Sequence, residues 1–163
     1  MRVHEFRKMA PLPKSTGERF DIALNIHPAD REDKVLLESN GWRLLDPRSI
    51  SADPWQYRNF INESAAEFMV AKNMYVDTRS GWFSDRSCCY LASGKPVLAQ
   101  DTGLRSLYPV GKGLMTFTSL DEAISGVRDI SQNYAAHSRA ARDIAVEYFD
   151  STKVLSSLLA KVN

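Results

Sequence analysis

The chain has 163 residues and a formal net charge of +1, with 44% hydrophobic, 25% charged and 10% aromatic residues. This is the length of one domain, and such a chain buries enough apolar surface to fold without a disulfide or a structural metal. The composition excludes disordered, collagen-like and coiled-coil proteins, and the balanced charge gives no reason to expect nucleic-acid binding. No apolar run is long enough to predict a transmembrane segment.

The first 19 residues carry five basic and two acidic side chains and lack the apolar core of a signal peptide. We expect residues 1–19 to be a poorly ordered lead-in and residues 20–163 to form the domain. Cys88 and Cys89 are adjacent, and neighbouring Cα atoms lie about 3.8 Å apart, which is too close for an ordinary disulfide. With no further ligand at zinc spacing, we expect no metal site and a cytoplasmic location.

From Phe20 onward the hydrophobic pattern becomes regular and predicts alternating strands and helices. Helix starts are predicted at residues suited to N-capping, and Ser119 with Glu122 forms a capping box. The predicted strands lie at 20–26, 42–45, 68–71, 96–100 and 114–117. The predicted helices follow Asp30, Asp53, Ser84 and Ser119, and two more occupy 134–149 and 154–162.

Strands separated by helices indicate βαβ units with right-handed crossovers. We therefore predict an α/β fold, a three-layer, Rossmann-like, doubly wound domain with a mainly parallel sheet of about five strands. Sheets of this kind bind ligands beyond the carboxyl ends of their strands. The residues that follow the predicted strands, at 25–27, 72–73 and 101–103, are therefore where a site is expected.

The segment 78–87 leads into a helix and combines hydroxyl groups, a glycine and arginines with backbone amides that have no helical partner. These groups are suited to holding a phosphate or another anion. A purely structural interpretation is also open, in which Ser84 only caps the helix, Arg86 pairs with a surface carboxylate and Trp82 packs in the core.

Three further places in the sequence also have both a functional and a purely structural interpretation. Lys72 follows a strand, so its ammonium group either faces the ligand-binding edge at the carboxyl ends of the strands or is solvated. The second place is the turn at Asp101, Thr102 and Gly103. It either contacts a ribose, sugar or phosphate group or is a plain turn without a ligand. His27, at the end of the first strand, is either a ligand contact or a structural histidine.

Residues 81–103, GWFSDRSCCYLASGKPVLAQDTG, resemble the donor-site segment of bacterial glycosyltransferases of the GT-B fold. In that family, a helix ending in A-S-G or A-x-G is followed by a P-V strand and a D-T-G or D-x-G turn. The similarity extends to 24–30, 66–72 and 147–151, and it covers roughly residues 20–162.

The resemblance implies the carboxyl-terminal half of such an enzyme, which binds the nucleotide diphosphate of an activated sugar. Residues 80–87 would approach the pyrophosphate, Arg86 and Lys72 would offset its charge, and no metal cofactor would be required. The candidate donor-binding residues are Lys72, Ser80, Gly81, Ser84, Asp85, Arg86, Ser87, Asp101, Thr102 and Gly103, with His27 and Trp82 as further candidates. No catalytic residue is assigned.

The chain departs from the family pattern at one place. Many retaining members carry two glutamates eight positions apart, and the equivalent positions here are Gly81 and Cys89, which offer no carboxylate. Asp85, one helical turn from the second position, is the carboxylate that would take over the contact with ribose hydroxyls.

GT-B enzymes react in a cleft between two such domains, and the amino-terminal one supplies the acceptor site. One expectation is therefore the donor half of a nucleotide-sugar-dependent glycosyltransferase, completed by an acceptor domain or by a homo-oligomer. The other is a stand-alone nucleotide-binding or protein-interaction module without transferase activity. In both, the nucleotide sugar or nucleotide diphosphate is a ligand or substrate, and no separate cofactor is implied.

Overall fold

The computed structural model describes residues 2–27 and 29–162. The elements, in chain order, are α1 (Arg2–Lys8), α2 (Leu12–Thr16), β1 (Phe20–Ala23), α3 (Arg31–Ser39), β2 (Trp42–Leu45), α4 (Arg48–Ser51), α5 (Pro54–Glu63), β3 (Glu67–Met69), α6 (Asn73–Asp77), α7 (Asp85–Ala92), β4 (Val97–Gln100), a 3₁₀ turn (Leu104–Ser106), β5 (Leu114–Phe117), α8 (Leu120–Gln132), α9 (Tyr134–Tyr148) and α10 (Ser151–Val162).

The strands form two parallel sheets, so the predicted α/β class is confirmed and the single five-stranded sheet is not. β1 pairs with β2, and β4 lies between β3 and β5 in a separate sheet. Between the sheets, the rings of Phe20 and Trp42 pack against Phe68, with centroids 6.0 and 6.1 Å away. The two sheets are thus joined by aromatic packing in place of a continuous hydrogen-bonded ladder.

Helices cover both faces of the three-stranded sheet, because side chains alternate along its central strand β4. Val97 and Ala99 belong to a core cluster shared with α7 and α9. Leu98 belongs to the opposite cluster, shared with α8 and with Trp42 of β2. The period of two along a strand accounts for this division, and it leaves Gln100 on the second face.

The amino-terminal segment forms two helices packed on the second core cluster, which differs from the poorly ordered lead-in expected there. Met9, Ala10 and Leu12 are almost inaccessible to solvent. The indole Nε1 of Trp42 donates a 2.9 Å hydrogen bond to the carbonyl oxygen of Ala10. Burying these apolar side chains offsets the entropy lost on ordering the segment, although the segment is rich in charged residues.

Two of the four predicted N-capping residues cap their helices through their side chains, whereas Asp30 and Ser84 make no side-chain cap bond among the described residues. The Asp53 carboxylate accepts hydrogen bonds from the amides of Trp55 and Gln56 at the start of α5. The Ser119 hydroxyl accepts one from the Glu122 amide at the start of α8. These two caps are confirmed, and each satisfies amides that the first helical turn leaves without a partner.

The last helix, α10, has no buried residue. Its exposed apolar side chains form one stripe along the helix, made of Val154, Leu155, Leu158, Leu159 and Val162. Within residues 2–27 and 29–162, neither α10 nor any other helix is long and apolar enough to cross a membrane.

Candidate functional site

The predicted site residues are concentrated at the carboxyl edge of the three-stranded sheet. Because β3, β4 and β5 are parallel, their last residues lie at the same edge. Lys72 lies between β3 and α6, Asp101 follows β4, and Thr118 follows β5. Ligands of parallel sheets bind at this edge, so the contacts made here decide what it can hold.

Two predicted segments meet at this edge. The Gly81 amide donates a 2.7 Å hydrogen bond to the Thr102 carbonyl oxygen. The Thr102 hydroxyl donates a 2.6 Å hydrogen bond to the carbonyl oxygen of Trp82. Thr102 is fully buried, so these bonds are shielded from water. The loop before α7 is therefore fixed to the turn after β4.

This junction requires glycine at position 103. Gly103 has a φ of +99°, and a Cβ built on it would lie 2.8 Å from the carbonyl oxygen of Arg79. Arg79 itself has a φ of +48°, the only positive φ of a non-glycine residue in the part of the chain that is described. Strained backbone of this kind is characteristic of functional loops.

The Asp101 carboxylate stabilises the turn from within. Its Oδ1 accepts hydrogen bonds from the amides of Gly103 and Leu104, at 2.9 and 3.0 Å. Its Oδ2 lies 3.0 Å from the Arg105 Nε. Both carboxylate oxygens of Asp101 thus contact the protein, so Asp101 stabilises the shape of the turn.

The start of α7 lacks a side-chain cap. Ser84 has the extended backbone of an N-cap residue, and it makes no side-chain hydrogen bond to the first-turn amides within the described chain. Its hydroxyl instead lies 3.4 Å from the Asp85 carboxylate, which is exposed to solvent. The first-turn amides of α7 therefore have no side-chain cap in the described chain, and they lie at the positive end of the helix dipole.

Arg86 and Ser87 face away from the open edge. The Arg86 Nε donates a 2.6 Å hydrogen bond to Glu67, whose side chain is 5% exposed. Burial by itself lowers the pKa of Arg86, but the Glu67 carboxylate raises it above its ordinary value. The Ser87 side chain is fully buried, and its Oγ and the Glu67 Oε2 have no hydrogen-bond partner among the described residues. For Arg86, the structure therefore shows pairing with a carboxylate, but this carboxylate is buried and is not the surface group of the structural interpretation.

Lys72 and Ser80 remain exposed at the edge. No ion pair of Lys72 occurs among residues 2–27 and 29–162. The Ser80 hydroxyl accepts a 3.3 Å hydrogen bond from the Trp82 amide, which shapes the loop.

Trp82 stacks on Tyr75 with ring centroids 4.9 Å apart and planes 10° from parallel. It also packs against the first core cluster, as its structural interpretation required.

His27 lies elsewhere. It follows β1 of the two-stranded sheet, is exposed, and accepts a 3.2 Å hydrogen bond at Nδ1 from the Ala29 amide. No hydrogen bond or ion pair joins it to the residues of the edge within the described chain. It lines instead a cleft between the two sheets.

That cleft, of about 1270 Å³, was not predicted from the sequence. Apolar and polar side chains both line it, and Tyr57, Glu67, Arg86 and Tyr90 are among the polar ones. Burial, followed by the Cys89 charge, raises the pKa of Tyr57 to about 12. The cleft lies between the two sheets, and β1 does not pair with β3, a relationship that no local sequence pattern predicts.

A second feature missed by the sequence analysis lies at the edge itself. Gln100 ends β4, and its Nε2 donates a 2.8 Å hydrogen bond to Glu5 of α1. The other Glu5 oxygen lies 2.6 Å from the Lys8 ammonium group. Burial by itself raises the pKa of Glu5, but the hydrogen bonds from Lys8 and Gln100 lower it below its ordinary value. The spacing of Glu5 and Lys8 was the only sequence signal for this network.

In the described ranges, no group of three or more His, Cys, Asp or Glu side chains could hold a metal ion. Cys88 and Cys89 are free thiols, and Cys89 is exposed. Burial and the neighbouring Cys89 and Asp85 charges raise the pKa of Cys88 to about 11, so this thiol is a poor nucleophile at neutral pH.

Comparison with protein-family models, with curated proteins and with solved structures found no match to this chain. The class of ligand that the edge can bind is therefore inferred from the chemical groups at the edge. First-turn amides of α7, the Lys72 ammonium group and the Ser80 hydroxyl are all donors, and together they suit an anionic ligand.

Proposed function

We propose that this chain is the donor-binding domain of a GT-B glycosyltransferase and that its carboxyl edge binds the diphosphate of a nucleotide sugar. The observation that carries the proposal is the pair of hydrogen bonds between the loop at 79–83 and the turn at 101–103. They hold the uncapped start of α7 at the carboxyl end of β4. The parallel strands and the helices on both sheet faces are compatible with the Rossmann-like, doubly wound fold of that family.

In this proposal, the phosphate oxygens accept hydrogen bonds from the first-turn amides of α7 and from the Ser80 hydroxyl. The Lys72 ammonium group offsets the charge of the diphosphate, and the helix dipole stabilises it as a leaving group without a metal. Asp85, exposed at the first position of α7, contacts the ribose hydroxyls. Arg86 acts through its charge and its bond to Glu67, which holds α7 in place.

Sugar transfer also needs an acceptor. We assign the acceptor site to a second, acceptor-binding half or to another copy of the chain, because GT-B enzymes react between two domains. A single half leaves the diphosphate partly hydrated, which weakens its electrostatic contacts. Binding by this chain is therefore expected to be micromolar at best.

A thermal-shift panel tests the proposal. UDP, GDP and TDP are each added to the purified chain, with the corresponding monophosphates as matched controls. At least one diphosphate should raise the melting temperature more than its monophosphate does. No shift with any diphosphate would contradict the proposal.

One observation favours a second candidate, a protein-interaction module. Every residue of α10 is exposed, and the apolar stripe that it carries includes Leu158 at 56% and Leu159 at 63% exposure. A twelve-residue helix is marginal on its own in water, so such a stripe is typical of a helix that packs on a partner. This candidate predicts concentration-dependent association in sedimentation experiments that Leu158→Ser abolishes, together with no nucleotide binding.

A further inference from the structure

We infer that Glu5 of α1 is a positioning residue for the ligand-binding edge, acting through Gln100. The inference rests on the proposed function, since the ligand it serves is the nucleotide diphosphate. Glu5 does not need to touch that ligand. It determines how the end of β3 and the end of β4 are held relative to each other.

Gln100 is the last residue of β4, and its side-chain amide contacts Ala71 beyond the end of β3 and Glu5 of α1. Its Oε1 accepts a 3.1 Å hydrogen bond from the Ala71 amide, and its Nε2 donates to Glu5. Ala71 directly precedes Lys72, and Gln100 directly precedes Asp101. Gln100 is 2% exposed and Ala71 is fully buried, so water cannot replace either bond. The two loops that carry candidate ligand contacts are thus tied together at their first residues.

The carboxylate of Glu5 selects the orientation of this amide. A glutamine amide has nearly the same shape in both flipped orientations, so its partners decide which one is adopted. An ionised carboxylate only accepts hydrogen bonds, and the Ala71 amide only donates. The flipped amide would place oxygen against Glu5 and NH₂ against Ala71, and both contacts would be repulsive. Glu5 therefore keeps the Gln100 oxygen directed at Ala71.

Lys8 makes this arrangement stable in a buried place. Glu5 is 5% exposed, and an unpaired carboxylate there would be costly. The Lys8 ammonium group at 2.6 Å neutralises its charge from the surface, where the lysine side chain is 62% exposed. Removing the Glu5 acceptor leaves the Gln100 NH₂ buried without a partner, which favours movement of the amide and of both strand ends.

The test uses calorimetric titration of the full chain with UDP and with GDP. Glu5→Met keeps the size and packing of the side chain but removes the acceptor, and it should weaken diphosphate binding about tenfold, as expected for one buried hydrogen bond. Glu5→Gln should restore affinity to within about threefold of the wild type, because its amide oxygen accepts from Gln100 again.

A matched control separates positioning from a general loosening of α1. Arg7 binds Asp33 of α3 through two hydrogen bonds of 2.7 and 2.9 Å, and this contact also anchors α1 but does not involve Gln100. Asp33→Ala should therefore leave diphosphate affinity unchanged. Equal losses in Asp33→Ala and Glu5→Met, or unchanged or increased affinity in Glu5→Met, would overturn the inference.

A second readout does not depend on nucleotide binding. Amide hydrogen exchange at Ala71 should be about tenfold faster in Glu5→Met than in the wild type, and unchanged in Asp33→Ala and Glu5→Gln. If the wild type binds no diphosphate but Ala71 responds in this way, the proposed function fails and the positioning network stands. An unchanged exchange rate at Ala71 in Glu5→Met overturns the network itself.

Discussion

The Gly81 amide donates a 2.7 Å hydrogen bond to the carbonyl oxygen of Thr102, and the Thr102 hydroxyl donates in return to the Trp82 carbonyl oxygen at 2.6 Å. These reciprocal bonds join the loop before α7 to the turn after β4. Neither segment is regular secondary structure, so each depends on the other for its shape. The candidate site is this junction, together with the helix start that it positions.

Replacement of Gly103 by alanine should disturb the junction directly. An alanine at this position would have to adopt the φ of +99°. Its Cβ would also lie 2.8 Å from the Arg79 carbonyl oxygen. We expect Gly103→Ala to lower the free energy of unfolding by about 3 kcal/mol, measured by urea denaturation. Gly111 is the control, because its φ is +113° but nothing lies within 4 Å of its Cβ. Gly111→Ala should cost only about 1 kcal/mol, for conformation alone. Equal losses in both variants would contradict the close approach to Arg79.

Removal of the Arg86 charge should destabilise the fold through Glu67. Arg86→Met leaves a carboxylate that is 5% exposed without its 2.6 Å partner. The Arg86 side chain is 42% exposed, so water screens part of the loss, and we expect about 2 kcal/mol in urea denaturation. The double variant Arg86→Met with Glu67→Gln should recover most of this stability. A double variant as unstable as the single one would show that the ion pair is not the cause.

Acid should remove the stabilising contribution of Glu5. The pKa of Glu5 is below its ordinary 4.5 in the folded chain, since Lys8 and Gln100 outweigh the opposing effect of burial. A carboxyl group with a lowered pKa stabilises the fold above its unfolded pKa, and that contribution is lost as pH falls through the folded pKa. The unfolding free energy should therefore decrease more in the wild type than in Glu5→Gln between pH 7 and about pH 3.

Other acidic groups do not blur this comparison. The pKa values of Asp33 and Glu122 are also lowered, by hydrogen bonds from Arg7 and from Thr118 respectively. Both groups are present in the wild type and in Glu5→Gln, so their effects cancel in the difference. Parallel acid profiles of the two proteins would show that Glu5 is not stabilised in its ionised form.

Local patterns predicted the parts of the fold that depend on neighbours in sequence. The caps at Asp53 and Ser119 involve groups only a few residues apart, and both helices begin where these residues predicted. The parallel pairing followed from the alternation of strands and helices. The chemistry of single residues was less predictable, since a sequence does not show that Arg86 meets Glu67.

Long-range relationships were the part that the sequence could not provide. β1 does not pair with β3, and the two sheets are joined by the packing of Phe20 and Trp42 on Phe68. The amino-terminal helices are held in place by the burial of Leu12 in the second core cluster. The Glu5–Gln100 contact joins two residues that are 95 positions apart. In each case the partner is far away in sequence, and no periodicity identifies it.

Calorimetric titration of UDP, GDP and TDP into the wild type and into Lys72→Met tests the central claim most directly. Lys72 is exposed, so its replacement should not affect folding. We expect at least one diphosphate to bind with micromolar affinity, its monophosphate to bind about tenfold more weakly, and Lys72→Met to lose about fivefold in diphosphate affinity. Absence of binding for all three diphosphates, or equal affinity for a diphosphate and its monophosphate, would contradict a diphosphate site at this edge.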